Sequence, residues 1–285
     1  MKTPILALAL AAWLTSFAGN ARAAELVGWY QFNNSNNLGL DSSGNNNNGT
    51  LYNDGILPVY SSNGIDGGGS AYFDGTFNYQ NQNFQGGGGT INVPINTGPS
   101  AMSNMTWGAW INPIQVDYGR YVISSDQYNG GRSLGIDNRA SDNYAAITGN
   151  QSPYFYNTGL APVTNSWIFI GGVYQNNYFS QGSGLLTMYV GNQVFSNIVT
   201  SFNNNSPSFT SIGGDAGTER YWNGYIDNVF IINGAANQSQ MTDLMNNPTL
   251  IPQIALTIAP EPSTYALFGL GAFGILLAMR RKKTT

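Results

Sequence analysis

From residue 24 onwards the chain reads as short β-favouring runs, each bounded by clusters of Gly, Asn and Ser. The runs expected to form strands are Leu26–Phe32, Ala71–Asp74, Thr90–Ile95, Met105–Asn112, Tyr121–Ser125, Ser133–Asp137, Trp167–Tyr174, Leu185–Val190, Gln193–Ile198, Phe209–Ile212 and Tyr225–Ile232. They are short for helices and rich in the β-branched and aromatic residues that fit a pleated surface. Alternation is clearest in Met105-Thr106-Trp107-Gly108-Ala109-Trp110-Ile111, where every second side chain shares a face. Many short strands with Gly- and Asn-rich turns predict an all-β sandwich or barrel. One helix is expected: Asn237 caps it, Gln240 stands at the capping-box position, and Met241, Leu244 and Met245 form its apolar stripe. Turn chemistry accounts for most of the Asn and Gly clusters, since both residues tolerate positive φ.

The two ends follow other rules. Lys2, the apolar stretch from Pro4 to Phe17 and the closing Ala21-Arg22-Ala23 make an export signal peptide, residues 1–23, cleaved after Ala23. At the other end Pro260-Glu261-Pro262 precedes the uncharged run Tyr265–Met279 and the basic cluster Arg280-Arg281-Lys282-Lys283. Such a run predicts a short transmembrane helix with its basic cap on the cytoplasmic side. The order of motif, span and basic cluster resembles the PEP-CTERM sorting signal. That resemblance implies processing by an exosortase in the bacterial inner membrane, with Pro260, Glu261 and Pro262 as the sorting motif. It also implies transient membrane anchoring before release or surface display. The expected organisation is a signal peptide at 1–23, a domain at 24–250, a linker at 251–259 and a sorting tail at 260–285.

Six of the ten basic residues lie in the two end segments. The body keeps only Arg120, Arg132, Arg139 and Arg220, with no Lys and no His. A surface so short of cations repels phosphate backbones, which excludes nucleic acid as a partner. Cysteine is absent, so the exported body rests on an ordinary core without disulfides. Without Cys and His, oxygen ligation remains as the metal chemistry, and that means calcium.

Within the body, Leu26-Val27-Gly28-Trp29-Tyr30-Gln31-Phe32 is followed by Asp41-Ser42-Ser43-Gly44-Asn45 and by Ala71-Tyr72-Phe73-Asp74-Gly75. Next come Met105-Thr106-Trp107-Gly108-Ala109-Trp110-Ile111, Leu186-Thr187-Met188-Tyr189-Val190-Gly191 and Trp222-Asn223-Gly224-Tyr225-Ile226-Asp227-Asn228-Val229. In this order the segments resemble the LamG-like, concanavalin A-like lectin/glucanase jelly rolls. That resemblance implies a jelly-roll β-sandwich that binds carbohydrate or another extracellular ligand, often with one structural calcium. Asp41 and Asp227 are the candidate metal ligands. The alternative is that Asp41 caps a turn and Asp227 sits on a solvated strand face.

The sequence argues against catalysis. The retaining enzymes of this fold carry Glu-x-Asp-x-x-Glu on one strand, and the only glutamates after the signal are Glu25, Glu219 and Glu261. Without His or Cys there is no Ser–His or Cys–His dyad. The expected function is therefore a non-catalytic, lectin-like protein of the cell surface or extracellular matrix, with extracellular polysaccharide as its partner. Sugars call for aromatic faces beside planar amides and charged groups. The loops supply these as Asp126, Tyr128, Arg132, Tyr144 and Tyr154, the candidate ligand-binding residues. Trp29, Trp107, Trp110 and Trp167 are assigned to the core. The alternatives are a structural or adhesive matrix protein without a defined sugar site, or a glycan-active enzyme.

Overall fold

The computed structural model describes residues 24–258 apart from 54, 76, 79–82, 85–87, 118, 126–130, 149–154, 177–182, 201–207 and 216–219. The signal peptide, the sorting motif and the expected transmembrane helix lie outside the described residues. Ala24–Ile258 forms one folded unit.

Among the described residues the strands run β1 (Glu25–Tyr30), β2 (Thr50–Asn53), β3 (Val59–Ser61), β4 (Ser70–Asp74), β5 (Phe77–Asn78), β6 (Asn83–Phe84), β7 (Gly89–Val93) and β8 (Met105–Pro113). They continue as β9 (Arg120–Ser124), β10 (Ser133–Asp137), β11 (Asn143–Ile147), β12 (Phe155–Asn157), β13 (Ile168–Asn176), β14 (Ser183–Val190), β15 (Gln193–Thr200), β16 (Thr210–Ile212) and β17 (Asn223–Asn233). One sheet has the order β15-β14-β13-β8-β17-β4-β3, with β1 also paired to β17; the other has β12-β11-β10-β9-β16-β7-β2. All pairings are antiparallel among the described residues, and β5 and β6 form a small separate ribbon. β17 organises the first sheet. Its first half pairs with β4, its second half with β1, and β8 runs along its other side. The result is the expected all-β sandwich of two antiparallel sheets.

Alternation sorts the side chains as the sequence predicts. Met105, Trp107, Ala109 and Ile111 point from β8 into the core between the sheets, joined by Ile170, Ile226, Ile91, Leu134 and Ile136. Gly213, at φ +84, lies so close to the Phe73 ring that a Cβ there would overlap it. Glycine is required at that position both for its backbone angle and for the approach.

A second core covers part of the outer face of the first sheet. Trp110, Phe169, Val173, Tyr189, Phe230 and Ile232 project outward there. Helix α1 (Gln238–Asn246) lays Met241 and Leu244 on them. Its Asn237 cap and Gln240 form the expected capping box. The Trp110 and Phe169 rings meet edge to face, with centroids 4.9 Å apart. The facing pair Gly108 and Gly171 leaves room for the Phe230 ring and the tip of Met241.

One expectation needs correction. The stretch read as a linker folds as a second helix, α2 (Ile251–Thr257), and the body continues to Ile258 rather than ending at 250. Pro252 sits in its first turn, where the missing N–H costs nothing. Ile251, Ile254, Ala255 and Ile258 are buried in the second core. Ala24 and Ile258 both approach Gly234, so the two ends of the folded unit meet.

Candidate functional site

The structure divides the candidate ligand-binding residues. Asp126 and Tyr128 fall between β9 and β10, and Tyr154 falls between β11 and β12; all three lie outside the described residues. Their two connections leave adjacent strand ends, since Ser124, Ser133, Ile147 and Phe155 follow one another across the sheet. Arg132 and Tyr144 are described, and neither is on a loop surface: both are interior. The Arg132 guanidinium donates to the carbonyls of Met102, at 2.6 Å, and Ser103, and packs over the Tyr174 ring. Burial lowers its pKa to about 10. Its role is to tie β10 to the turn before β8. Tyr144 belongs to the main core, and burial raises its phenol pKa. Neither side chain faces a ligand in solution. The sequence misled because an arginine next to Gly131 and a tyrosine among polar residues both read as loop chemistry.

The candidate metal ligands also separate. Asp41 Oδ1 accepts from the backbone N–H groups of Trp29 and Ser43, and Oδ2 accepts from the Ser43 hydroxyl and the Asn47 N–H. Four donors satisfy this carboxylate, which fits the turn-capping alternative. Asp227, by contrast, is wholly buried and not on a solvated face. Its Oδ2 accepts from Ile65 N at 2.9 Å, and its Oδ1 is buried with no partner. Burial pushes its carboxyl up to about 7, with the neighbouring charge of Asp66 adding to the rise. Asp66 accepts from Gly68 N and from Asn228 Nδ2, so it shares the 63–69 loop with Asp227. Among the described residues no group of three or more acidic, His or Cys side chains gathers in one place.

An aromatic row was not foreseen. On the outer face of the first sheet, Val59 faces Tyr72, Tyr72 faces Tyr225, and Tyr225 faces Asn112. Trp167 stands beside Asn112, one residue before the Ile168–Ile111 pair. The Tyr72 and Tyr225 centroids are 5.2 Å apart and tilted by 47°, and those of Trp167 and Tyr225 are 6.4 Å apart and tilted by 48°. All three rings are half-buried, so they are held in place and still reach solvent. Asp74 and Asn223 face each other in the next row, Asp74 half-buried and Asn223 buried. Asn112 is 9% exposed and its Oδ1 has no partner. Burial, then the charge of Asp74, raises the Tyr72 phenol pKa. Rings beside a carboxylate and planar amides are the parts that sugar recognition uses.

The four arginines lie elsewhere. Arg120 and Arg132 are interior. Arg139 and Arg220 gather on Asp137 of the second sheet, stacked over Phe155 and Tyr121 respectively. Burial pushes the Asp137 carboxyl up, but the bonds from Arg139 and the charges of both arginines outweigh it and hold the pKa below its ordinary value.

The sequence profile described as the concanavalin A-like lectin/glucanases superfamily matches residues 85–242, more than half of the chain. The chain belongs to the concanavalin A-like lectin/glucanase superfamily. The PEP-CTERM protein-sorting motif matches residues 259–282, which marks this family member as exported. No curated protein matches it. Among solved structures, its sandwich is similar to domain 4 of AbnA, an extracellular arabinanase from Geobacillus stearothermophilus solved with arabinotriose. The TM-score is 0.57 at 22% identity, covering 79% of this chain and all of that one. It is also similar to a structure of botulinum neurotoxin type C, whose cell entry is dependent upon interaction with two ganglioside molecules. There the TM-score is 0.53 at 16% identity, over 81% of this chain and 53% of that one. The binding domain of serotype D gives 0.52 at 14%, over 78% and 51%. The chain thus spans about half the length of the neurotoxin structures. At these identities the likeness shows the fold alone.

Proposed function

We propose that this protein is an exported, non-catalytic carbohydrate-binding module of the cell surface or extracellular matrix, processed through its tail by an exosortase. The observation that carries the reading is the half-buried ring row Tyr72–Tyr225–Trp167, flanked by Asp74, Asn112 and Asn223. The neighbours support it: one was solved with an arabinose oligosaccharide and another concerns ganglioside-dependent entry. Transient anchoring by the tail is part of the same reading. Binding to the host's own matrix polysaccharide, measured by calorimetry, tests it.

Hydrolysis is disfavoured on geometry. Burial raises the Asp227 carboxyl to about 7, into the range of a general acid near neutral pH. It is wholly buried, so it cannot reach a glycosidic oxygen. Its neighbour Asp66 is engaged by Gly68 and Asn228.

The calcium expectation stays a proposal in altered form. The residues fit a cation at Asp227 and Asp66, because one buried Asp227 oxygen has no partner and two carboxylates adjoin. Hard oxygen ligands of this type, completed by backbone carbonyls, are what calcium takes. Bound there, it would fix the 63–69 loop beside β4, a structural role away from chemistry. Asp41 is not among the proposed ligands.

One observation favours the adhesive alternative. Leu51, Tyr52, Ile56, Leu57, Val59 and Tyr60 are exposed large hydrophobics within ten residues, on β2, β3 and their connection. Both strands are edges of their sheets. Exposed uncharged edges promote association. Concentration-dependent sedimentation without glycan binding would support that reading over the lectin-like one.

A further inference from the structure

The ring row carries more than the fact of binding. The following rests on the carbohydrate reading above and specifies its ligand.

The row runs across the strands, from Val59 on edge strand β3 through Tyr72 on β4 and Tyr225 on β17 to Trp167 ahead of β13. At its β3 end it runs off the sheet, where Val59 is 51% exposed. A ligand along it can therefore extend beyond the protein, which suits the interior of a chain. The ring-to-ring steps of 5.2 and 6.4 Å are comparable to the length of one sugar unit. Adjacent units of one chain can thus engage adjacent rings.

Two features narrow the chemistry. Successive rings are tilted by 47° and 48°, so the platform turns from ring to ring. A crystalline face needs coplanar rings; a single chain in solution can twist to follow tilted ones. The charge on this face is also one-sided. Asp74 projects from β4 on the side of Tyr72 and Tyr225 and is half-buried there. The body has no lysine, two of its arginines are interior, and the other two sit on Asp137 of the second sheet. No lysine or arginine on this face can pair with the carboxyl groups of an acidic chain, and like charges repel.

We propose that the Tyr72–Tyr225–Trp167 row binds the interior of a single, uncharged polysaccharide chain lying across strands β3, β4, β17 and β8, and rejects acidic chains and crystalline faces.

The test is affinity electrophoresis of the exported body in gels holding soluble arabinan or soluble β-glucan, against gels holding alginate or polygalacturonate. Pull-down on microcrystalline cellulose completes the set. Retention by a neutral soluble chain is expected, with no retention by the acidic chains or the crystal. Tyr225→Ala, which removes the ring touching both others, and Trp167→Ala should each weaken it about tenfold or more. Val163→Ser, at a residue 58% exposed, should leave it unchanged. Melting curves separate a lost ring from a lost fold. In the unaltered protein, the Trp167 indole NMR signal, assigned with Trp167→Phe, should shift on titration. Retention by an acidic chain or by the crystal overturns this inference while the carbohydrate reading stands. Neutral binding that leaves the indole signal still overturns the row as the site. No retention by any glycan overturns both.

Discussion

Helix α2 offers a sharp test of where the body ends. Ile254 and Leu256 lie two residues apart on it, yet Ile254 is 8% exposed and Leu256 is 85% exposed. Ile254 packs in the second core with Trp29, Trp110 and Phe230; Leu256 is outside it. Truncating a buried isoleucine to alanine removes its transfer free energy and leaves a cavity, which together cost about 2–3 kcal/mol at a partly relaxing site. For a domain of this size that lowers the melting temperature by roughly 5–10 °C. Leu256→Ala should change stability by less than about 0.5 kcal/mol. Urea unfolding of residues 24–258, followed by tryptophan fluorescence, reads both, since Trp29 and Trp110 line the affected core. Ending the body at residue 250 should destabilise it more than Ile254→Ala, because Ile251, Ala255 and Ile258 leave as well. Equal costs for the two substitutions, or full stability of the shortened body, would refute the assignment of α2 to the fold.

Three other outcomes are expected. Calcium should raise the melting temperature of the wild type and of Asp41→Ala but not of Asp227→Asn; the first two gain about 2.7 kcal/mol at a hundredfold excess over Kd. An equal calcium response in all three proteins would remove Asp227 as a ligand. Asp137 has a folded pKa below its unfolded value, so its ion pairs stabilise above the unfolded pKa and are lost as pH falls through the folded one. Wild type minus Asp137→Asn stability should therefore be positive near pH 7 and shrink towards zero in acid, and a difference that is constant with pH contradicts it. Mass spectrometry of the exported protein should find Arg280–Lys283 missing; an intact C-terminus on the released form would reject processing.

Strand positions and the inward faces were legible because period-two alternation is local. Met105 to Ile111 shows it, and the core residues it selects are those found inside. Helix α1 was equally legible through its cap and stripe. α2 was not, since it spans only seven residues and opens with Ile-Pro, so its helical character depends on the core it joins. The ring row was half legible. Alternation in Ala71-Tyr72-Phe73-Asp74 and in Tyr225-Ile226-Asp227 already sets the tyrosines on the faces away from Phe73 and Ile226. What brings them together is the pairing of β4 with β17 across some 150 residues, which no local signal encodes. Trp167 was assigned to the core because tryptophan in an apolar run is usually buried; it packs against the second core and also meets Tyr225. Asp41 and Asp227 differ only in what surrounds them: four donors around one, a buried oxygen without a partner on the other.

The central claim is binding without hydrolysis, and one calorimetric titration addresses both halves. The body, residues 24–258, is titrated with soluble polysaccharide from the producing cells' own matrix, and the same samples are assayed for new reducing ends after prolonged incubation. The account predicts saturable heat of modest affinity, weakened about ten- to thirtyfold in Tyr225→Ala, and no new reducing ends. Absence of heat, or release of reducing sugar, would contradict it.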